Sequence, residues 1–228
     1  MARTALLFMT LMFLAACGRE LTPNEAGFAR ALHGSGLDTG KVRLVRGAPL
    51  APVTFRYPQR PRTTCRERML PPVTREYVTT KPAAMTLFNH VLFTREWYSD
   101  DFMADYPRMI DLVEAMLLGH ELTHVWQWQN RSRTGYSPLA ALREHRTTED
   151  PYLFEIEDTP DFLDYGFEQQ GAVVEEYICC RALAPKAART QRLHEMLSRA
   201  FPVSDLPGGR EHDVLLPWSG AEVGGICD

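Results

Sequence analysis

Residues 119–126 read Gly-His-Glu-Leu-Thr-His-Val-Trp, an H-E-x-x-H pattern set in an apolar stretch. Two histidines four apart on a helix lie on one face, about one turn apart, so their imidazoles can grip a single zinc ion. Glu121 is turned off that face by one residue, within reach of a metal-bound water as general base. The pattern works only on a helix, and helical spacing is independently present. Met109, Ile110, Val113, Met116, Leu117, Leu118, Leu122, Val125 and Trp126 are apolar at that spacing, and Pro107 suits a first turn. The spacing predicts one long buried helix from about Pro107 to Gln129. Trp126 and Trp128 are read as core or rim residues.

A chain of 228 residues, 45% hydrophobic and 24% charged, is long enough for one core. Its net charge of −4 argues against bulk attraction to nucleic acid. The charge is unevenly spread. Residues 41–76 carry nine basic residues against Glu67 and Glu76, whereas residues 149–176 carry ten acids and no base. These are expected to form solvated faces of opposite sign that attract each other.

Residues 1–16 read as a targeting segment: Arg3 supplies the positive start, and the apolar run from Ala5 to Leu14 is too short for a membrane span. Leu14-Ala15-Ala16-Cys17 resembles a bacterial lipobox. It implies cleavage before Cys17, lipidation of its thiol, and a lipoprotein held in the cell envelope by that anchor alone. Gly18 after the cysteine favours the outer membrane. In such an oxidising compartment Cys65, Cys179, Cys180 and Cys227 are expected to form two disulfides. A bridge between adjacent Cys179 and Cys180 would be strained inside a helix, so Cys65 and Cys227 are each expected to take one of them, in either order.

Residues 17–20 form a short tether. Thr22-Pro23-Asn24-Glu25 is a helix start, with Thr22 as N-cap, Pro23 in the first turn and Glu25 closing a capping box; that helix runs to about His33. Residues 41–45 alternate as a first strand. Seven prolines between Pro49 and Pro82 rule out helix for most of that segment, which reads as a surface excursion with extended pieces near 53–57 and 77–80. Its arginines are expected to be solvated. Residues 84–93 form the strongest strand; His90 on it reads as packed or exposed rather than as a ligand. Downstream, a short helix at 138–144, an acidic loop to Pro160, a long helix at about 161–184, a further helix at 186–199 and an irregular tail are expected. Residues 21–228 form one domain.

A catalytic zinc takes three protein ligands and keeps one position for water. The solution with a glycine and a third histidine just after the motif is excluded, because those positions hold Gln127 and Asn130. The other solution takes a carboxylate from a later helix, and Glu155, Glu157, Asp158, Asp161, Asp164, Glu168, Glu175 and Glu176 are available. Glu168 shares a helical stripe with Gly171, Ala172, Glu175 and Cys179, and the small residues would let two backbones approach closely. Glu168 is therefore the favoured ligand. Glu175 lies about 10.5 Å further along the axis, too far to ligate the same ion, and is placed to orient a ligand histidine. Tyr136, Tyr152 and Tyr165 are weak candidates for stabilising an oxyanion.

His120-Glu121-Leu122-Thr123-His124-Val125-Trp126-Gln127, followed by Tyr165-Gly166-Phe167-Glu168-Gln169-Gln170, resembles a gluzincin-like family found beside Rhs and Vgr toxin-delivery genes and in the core domain of extracellular contractile injection systems. Leu21–Glu25, Asp38–Leu44 and the Leu87–Phe102 region also resemble those sequences, so the likeness covers most of residues 21–182. The chain departs from them at residues 49–82, at Gly171 and at the lipobox. The resemblance implies His120, His124 and Glu168 as zinc ligands and Glu121 as catalytic acid–base. It implies an α+β, zincin-like fold in which a small sheet presents an edge strand, here residues 84–93, to extended substrate. The expected function is hydrolysis of an unidentified protein or peptide substrate in the bacterial envelope. The alternatives are a non-catalytic, zinc-stabilised envelope or secretion-system accessory protein, and a hydrolase of peptidoglycan stems.

Overall fold

The computed structural model describes residues 18–57, 60–148, 150–154, 161–204, 206 and 213–228. The expected targeting segment and Cys17, along with Glu155, Glu157 and Asp158, lie outside the described residues. The architecture is mixed α+β, with three small sheets and several helices. No helix among the described residues is long and apolar enough to cross a membrane.

Helix α1 (Pro23–His33) begins as its sequence predicts. Thr22 Oγ1 accepts from Glu25 N, and Glu25 Oε2 accepts from Thr22 N. The buried Glu25 carboxylate also takes both Arg19 Nη atoms at 2.7 Å and Phe102 N at 2.9 Å, which ties the first residues to the far end of the sheet region. Strand β1 (Arg43–Arg46) follows. The excursion holds β2 (Val53–Arg56) and β3 (Tyr77–Thr80), near the expected extended pieces, and the two pair antiparallel, which was not expected. Between them lies an unforeseen helix, α2 (Cys65–Met69). Its signal was present: Thr64 and Glu67 form the same reciprocal cap seen at Thr22. The arginines here are not merely solvated. Arg60 pairs with Glu67 at 2.7 Å and Asp150 at 3.5 Å, which joins the basic segment to the acidic one.

Residues 84–93 are not one strand but a hairpin, β4 (Ala84–Leu87) and β5 (His90–Phe93). The turn residues are Phe88 and Asn89, and Phe88 has φ 59, a conformation uncommon for a bulky side chain. Its ring rests on Trp128, with centroids 4.6 Å apart. Asparagine tolerates such turns, and Asn89 was the missed cue. The sheet order is β1-β5-β4, with β1 parallel to β5, so β4 is an edge.

The motif helix α3 (Leu112–Gln129) starts five residues later than Pro107. Asp111 caps it, its Oδ1 accepting from Val113 N and Glu114 N at 3.0 Å each. The preceding apolar residues belong instead to β6 (Met109–Asp111). That strand pairs in parallel with β7 (Asp213–Leu215), an element in a tail expected to be irregular. Short helices α4 (Arg131–Thr134) and α5 (Pro138–Thr147) follow. The helix expected from Asp161 is split. A 3-10 turn covers Phe162–Asp164, Gly166 interrupts, and α6 (Phe167–Leu183) begins where the Glu144 carboxylate accepts from Phe167 N and Glu168 N at 2.8 and 3.0 Å. Helix α7 (Ala188–Ala200) packs against it.

The core lies between α3 and α6, which run against each other. Gly119 permits this: a Cβ there would sit 2.3 Å from Ile178 Cδ1. The disulfides join Cys65 to Cys179 and Cys180 to Cys227, which decides the order the spacing left open.

His33, at the end of α1, is fully buried beside α3. Thr123 Oγ1 donates to Gly119 O at 2.8 Å, so it meets His33 Nε2 at 3.2 Å as an acceptor, while His33 Nδ1 has no hydrogen-bond partner. Burial disfavours a second ring proton, outweighs the upward pull of the Ala29 backbone, and lowers the pKa from 6.5 to about 3. The unfolded chain therefore binds this proton first as pH falls. The stability that neutral His33 supplies is present above pH 6.5 and is lost toward about pH 3. His33→Gln should shrink the difference in urea stability between about pH 7 and about pH 4 by on the order of 1–3 kcal/mol.

Candidate metal centre

His120 and His124 project from one face of α3 toward the first turn of α6, where Glu168 stands. Their Nε2 atoms are 3.1 Å apart, and Glu168 Oε2 lies 3.2 Å from the first and 3.4 Å from the second. All three side chains are buried, and together they form a group able to hold a metal ion. A tetrahedral zinc with ligand bonds of about 2.0–2.1 Å has ligand–ligand edges of roughly 3.3–3.4 Å. The three edges are close to that figure.

Each ligand is held from behind. His124 Nδ1 is 2.8 Å from Gln127 Oε1, and Gln127 Nε2 donates to Gln170 Oε1 at 2.9 Å and Phe167 O at 3.0 Å. His120 Nδ1 is 2.8 Å from Glu175 Oε1, with the oxygen off the N–H axis, so this contact acts by charge more than as a straight hydrogen bond. Glu168 Oε1 is taken by His145 Nε2 at 2.9 Å, which leaves Oε2 to face the two imidazoles. With Nδ1 turned toward an acceptor on each ring, both Nε2 lone pairs converge with a carboxylate oxygen, and such a point calls for a cation.

The electrostatics agree. Burial pulls the pKa of His120 down, but the Glu168 and Glu175 carboxylates outweigh it and push it up to about 10. For Glu168, burial acts upward and is overcome by the charge of His124 and the hydrogen bonds of His120, His124 and His145, which hold it well below the usual carboxylate range. The two carboxylates thus favour a positive charge at the His120 ring, whether a proton or a metal ion.

Glu121 is buried on α3. Thr86 Oγ1, on edge strand β4, donates to Glu121 Oε2 at 2.6 Å, and Oε1 has no hydrogen bond among the described residues. Two tyrosines flank the group, Tyr136 with its ring centroid 6.0 Å from that of His124 and Tyr152 at 5.9 Å from His120. Tyr165 instead packs edge-on against Phe154.

Gly171 matters here. A Cβ at this position would fall 2.5 Å from His120 Cε1 and 2.7 Å from Nδ1, so helix α6 can pass the ring only without a side chain. Gly171→Ala should push the imidazole off its position. The expected cost is about 1–3 kcal/mol of stability and a loss of metal affinity of roughly tenfold or more, read by denaturation and by chelator competition.

His120, His124 and Glu168 thus meet, and Glu175 Oε1 lies beside His120 Nδ1. His90 on β5 is not in the group. Asp161 pairs with Arg199 at 3.2 Å, and Glu176 pairs with Arg189 at 2.7 Å. Cys65, Cys180 and Cys227 also lie together but are consumed as disulfides. Thr86, Gln127, His145 and Arg66, which pairs with Glu175 at 3.1 Å, were not anticipated. The expected helix at 138–144 stopped one residue short of His145. Gln127 sits three residues past His124 and has no exposure, a combination visible only once α6 is in place.

No family model matches the chain, and no curated protein does. Among solved structures, the effector domain of Pseudomonas aeruginosa VgrG2b aligns with a TM-score of 0.48 and 23% identity, over 82% of this chain and 83% of that one.

Proposed function

We propose that this chain is a zinc-dependent metallopeptidase with a zincin-like core, acting in the bacterial envelope on a protein or peptide substrate. The observation that carries the reading is the convergence of His120, His124 and Glu168 on one point, with the Glu121 carboxylate beside it. Two imidazoles and a carboxylate are a common catalytic zinc set that leaves a position open for water. When bound, zinc supplies a water of lowered pKa and a Lewis acid for the scissile carbonyl. Glu121 takes the proton of the attacking water on its free Oε1 and returns it to the leaving amine. Thr86 holds Oε2 and so fixes the direction in which Oε1 faces. Because Thr86 belongs to β4, the edge strand passes beside the reacting carboxylate, and its outer edge suits an extended peptide paired by main-chain hydrogen bonds. Tyr136 and Tyr152, whose rings flank the two histidines, are candidate donors toward a developing oxyanion.

The two disulfides support an oxidising compartment, the same one that lipidation at Cys17 would give. The test is metal content together with hydrolysis of labelled casein, for residues 18–228 and for His120→Ala. Zinc near one equivalent in the first and its loss, with loss of cleavage, in the second is expected. Equal metal in both would sink the ligand assignment, and metal without cleavage would leave the non-catalytic alternative.

A further inference from the structure

We propose that Arg66 is a positioning residue for the His120 ligand, acting through Glu175, and that the Cys65–Cys179 disulfide is what holds it there. The proposal rests on the metal reading of the His120–His124–Glu168 group and does not require peptidase activity.

Glu175 is a buried carboxylate between two partners. One is the His120 ring, 2.8 Å from Oε1; the other is Arg66, whose Nη1 lies 3.3 Å from Oε1 and 3.1 Å from Oε2. Without Arg66 the carboxylate has no fixed counter-charge and turns with the ring instead of setting it. The arginine comes from α2, in a proline-rich excursion distant in sequence, and three contacts fasten that helix to α6. Cys65 is disulfide-bonded to Cys179, one turn beyond Glu175. Cys65 N donates to Glu176 Oε2 at 2.6 Å. Arg66 itself pairs with Glu175. Two successive residues of α2 are thus gripped by two successive acids of α6, and the covalent bond prevents the pair from drifting apart. Arg66 also lies against the face of Tyr152, 5.9 Å from its centroid, on the ring that borders His120. The second disulfide, Cys180–Cys227, fastens the tail, which in turn bonds α2 through Arg68 and through Met69 O.

The experiment measures zinc affinity of the oxidised chain by competition with a chromophoric chelator, and records the visible spectrum of the cobalt(II)-loaded protein. Arg66→Ala is expected to weaken zinc about tenfold and to change the cobalt spectrum, as supporting residues behind a ligand do. Arg66→Lys should recover part of the loss. Glu175→Gln should show the same loss, and adding Arg66→Ala to it should cost nothing more, because the two act in series. Cys65→Ser with Cys179→Ser should reproduce the Arg66→Ala loss. Wild-type affinity and spectrum in Arg66→Ala, or losses that add with Glu175→Gln, would overturn the proposal. The Arg66 side chain is half exposed, so its variants fold and decide the matter even where the serine pair does not. His120→Ala separates the two failures: retained zinc there removes the metal site itself, whereas lost zinc there with unaffected Arg66→Ala removes only the role of Arg66.

Discussion

Glu121→Gln should lower casein hydrolysis by about 10²–10⁴-fold, the usual contribution of a positioned general base, while bound zinc stays at the wild-type level. The substitution is nearly isosteric. Its side chain still accepts from Thr86 Oγ1, which donates to Oε2 at 2.6 Å in the native chain, so the local packing survives. What it removes is the ability to take a proton on the second oxygen. Glu121 is not one of the three converging ligand groups, so the metal has no reason to leave. Cleavage that persists with full metal would mean that the proton goes elsewhere. Retained metal and no cleavage in either protein would favour a zinc-stabilised accessory role.

Glu168→Ala should weaken zinc by more than about 100-fold, beyond the range for residues that only support a ligand. Two histidines remain, but one of the three corners is gone, and His145 loses the oxygen it held at 2.9 Å. The change is readable without any substrate. A ligand present at about 100 times its dissociation constant stabilises the folded state by roughly 2.7 kcal/mol. In a chain of this size that amounts to a rise of about 5–10 °C in unfolding temperature. Zinc should produce that rise in the wild type and leave Glu168→Ala where it was. An equal rise in both would show the metal to be bound elsewhere.

Those two residues were legible before any coordinates, and for different reasons. Glu121 belongs to a local pattern whose spacing carries its own geometry. Glu168 was narrowed from eight acids by the small residues beside it, and Gly171 does lie where His120 leaves no room for a Cβ. The α1 cap was equally local, since Thr22 and Glu25 are three residues apart and each accepts from the other's amide. The partners that were not foreseen come from afar. Thr86 reaches Glu121 across 35 positions, Arg66 reaches Glu175 across 109, and His145 reaches Glu168 across 23. None of these pairs has a periodicity to announce it, because each exists only when separate elements pack. The boundary errors have the same origin. Pro107 looks like a helix start until β7 pairs with Met109–Asp111, and residues 84–93 look like one strand until Phe88 turns back onto Trp128.

The adjacent cysteines of α6 bear on what happens to this chain among other proteases. Cys179 reaches back 114 residues and Cys180 reaches forward 47, so their two closed loops meet without overlapping. A single nick anywhere from residue 65 to residue 227 therefore leaves both fragments linked as one molecule. The exception is the peptide bond between the two cysteines, which is buried inside the helix. The exposed strand β3 and the loop near Tyr152 lie inside the first closed loop and can be clipped without releasing the piece that carries His120, His124 and Glu168, whereas a cut in β2, ahead of Cys65, divides the chain.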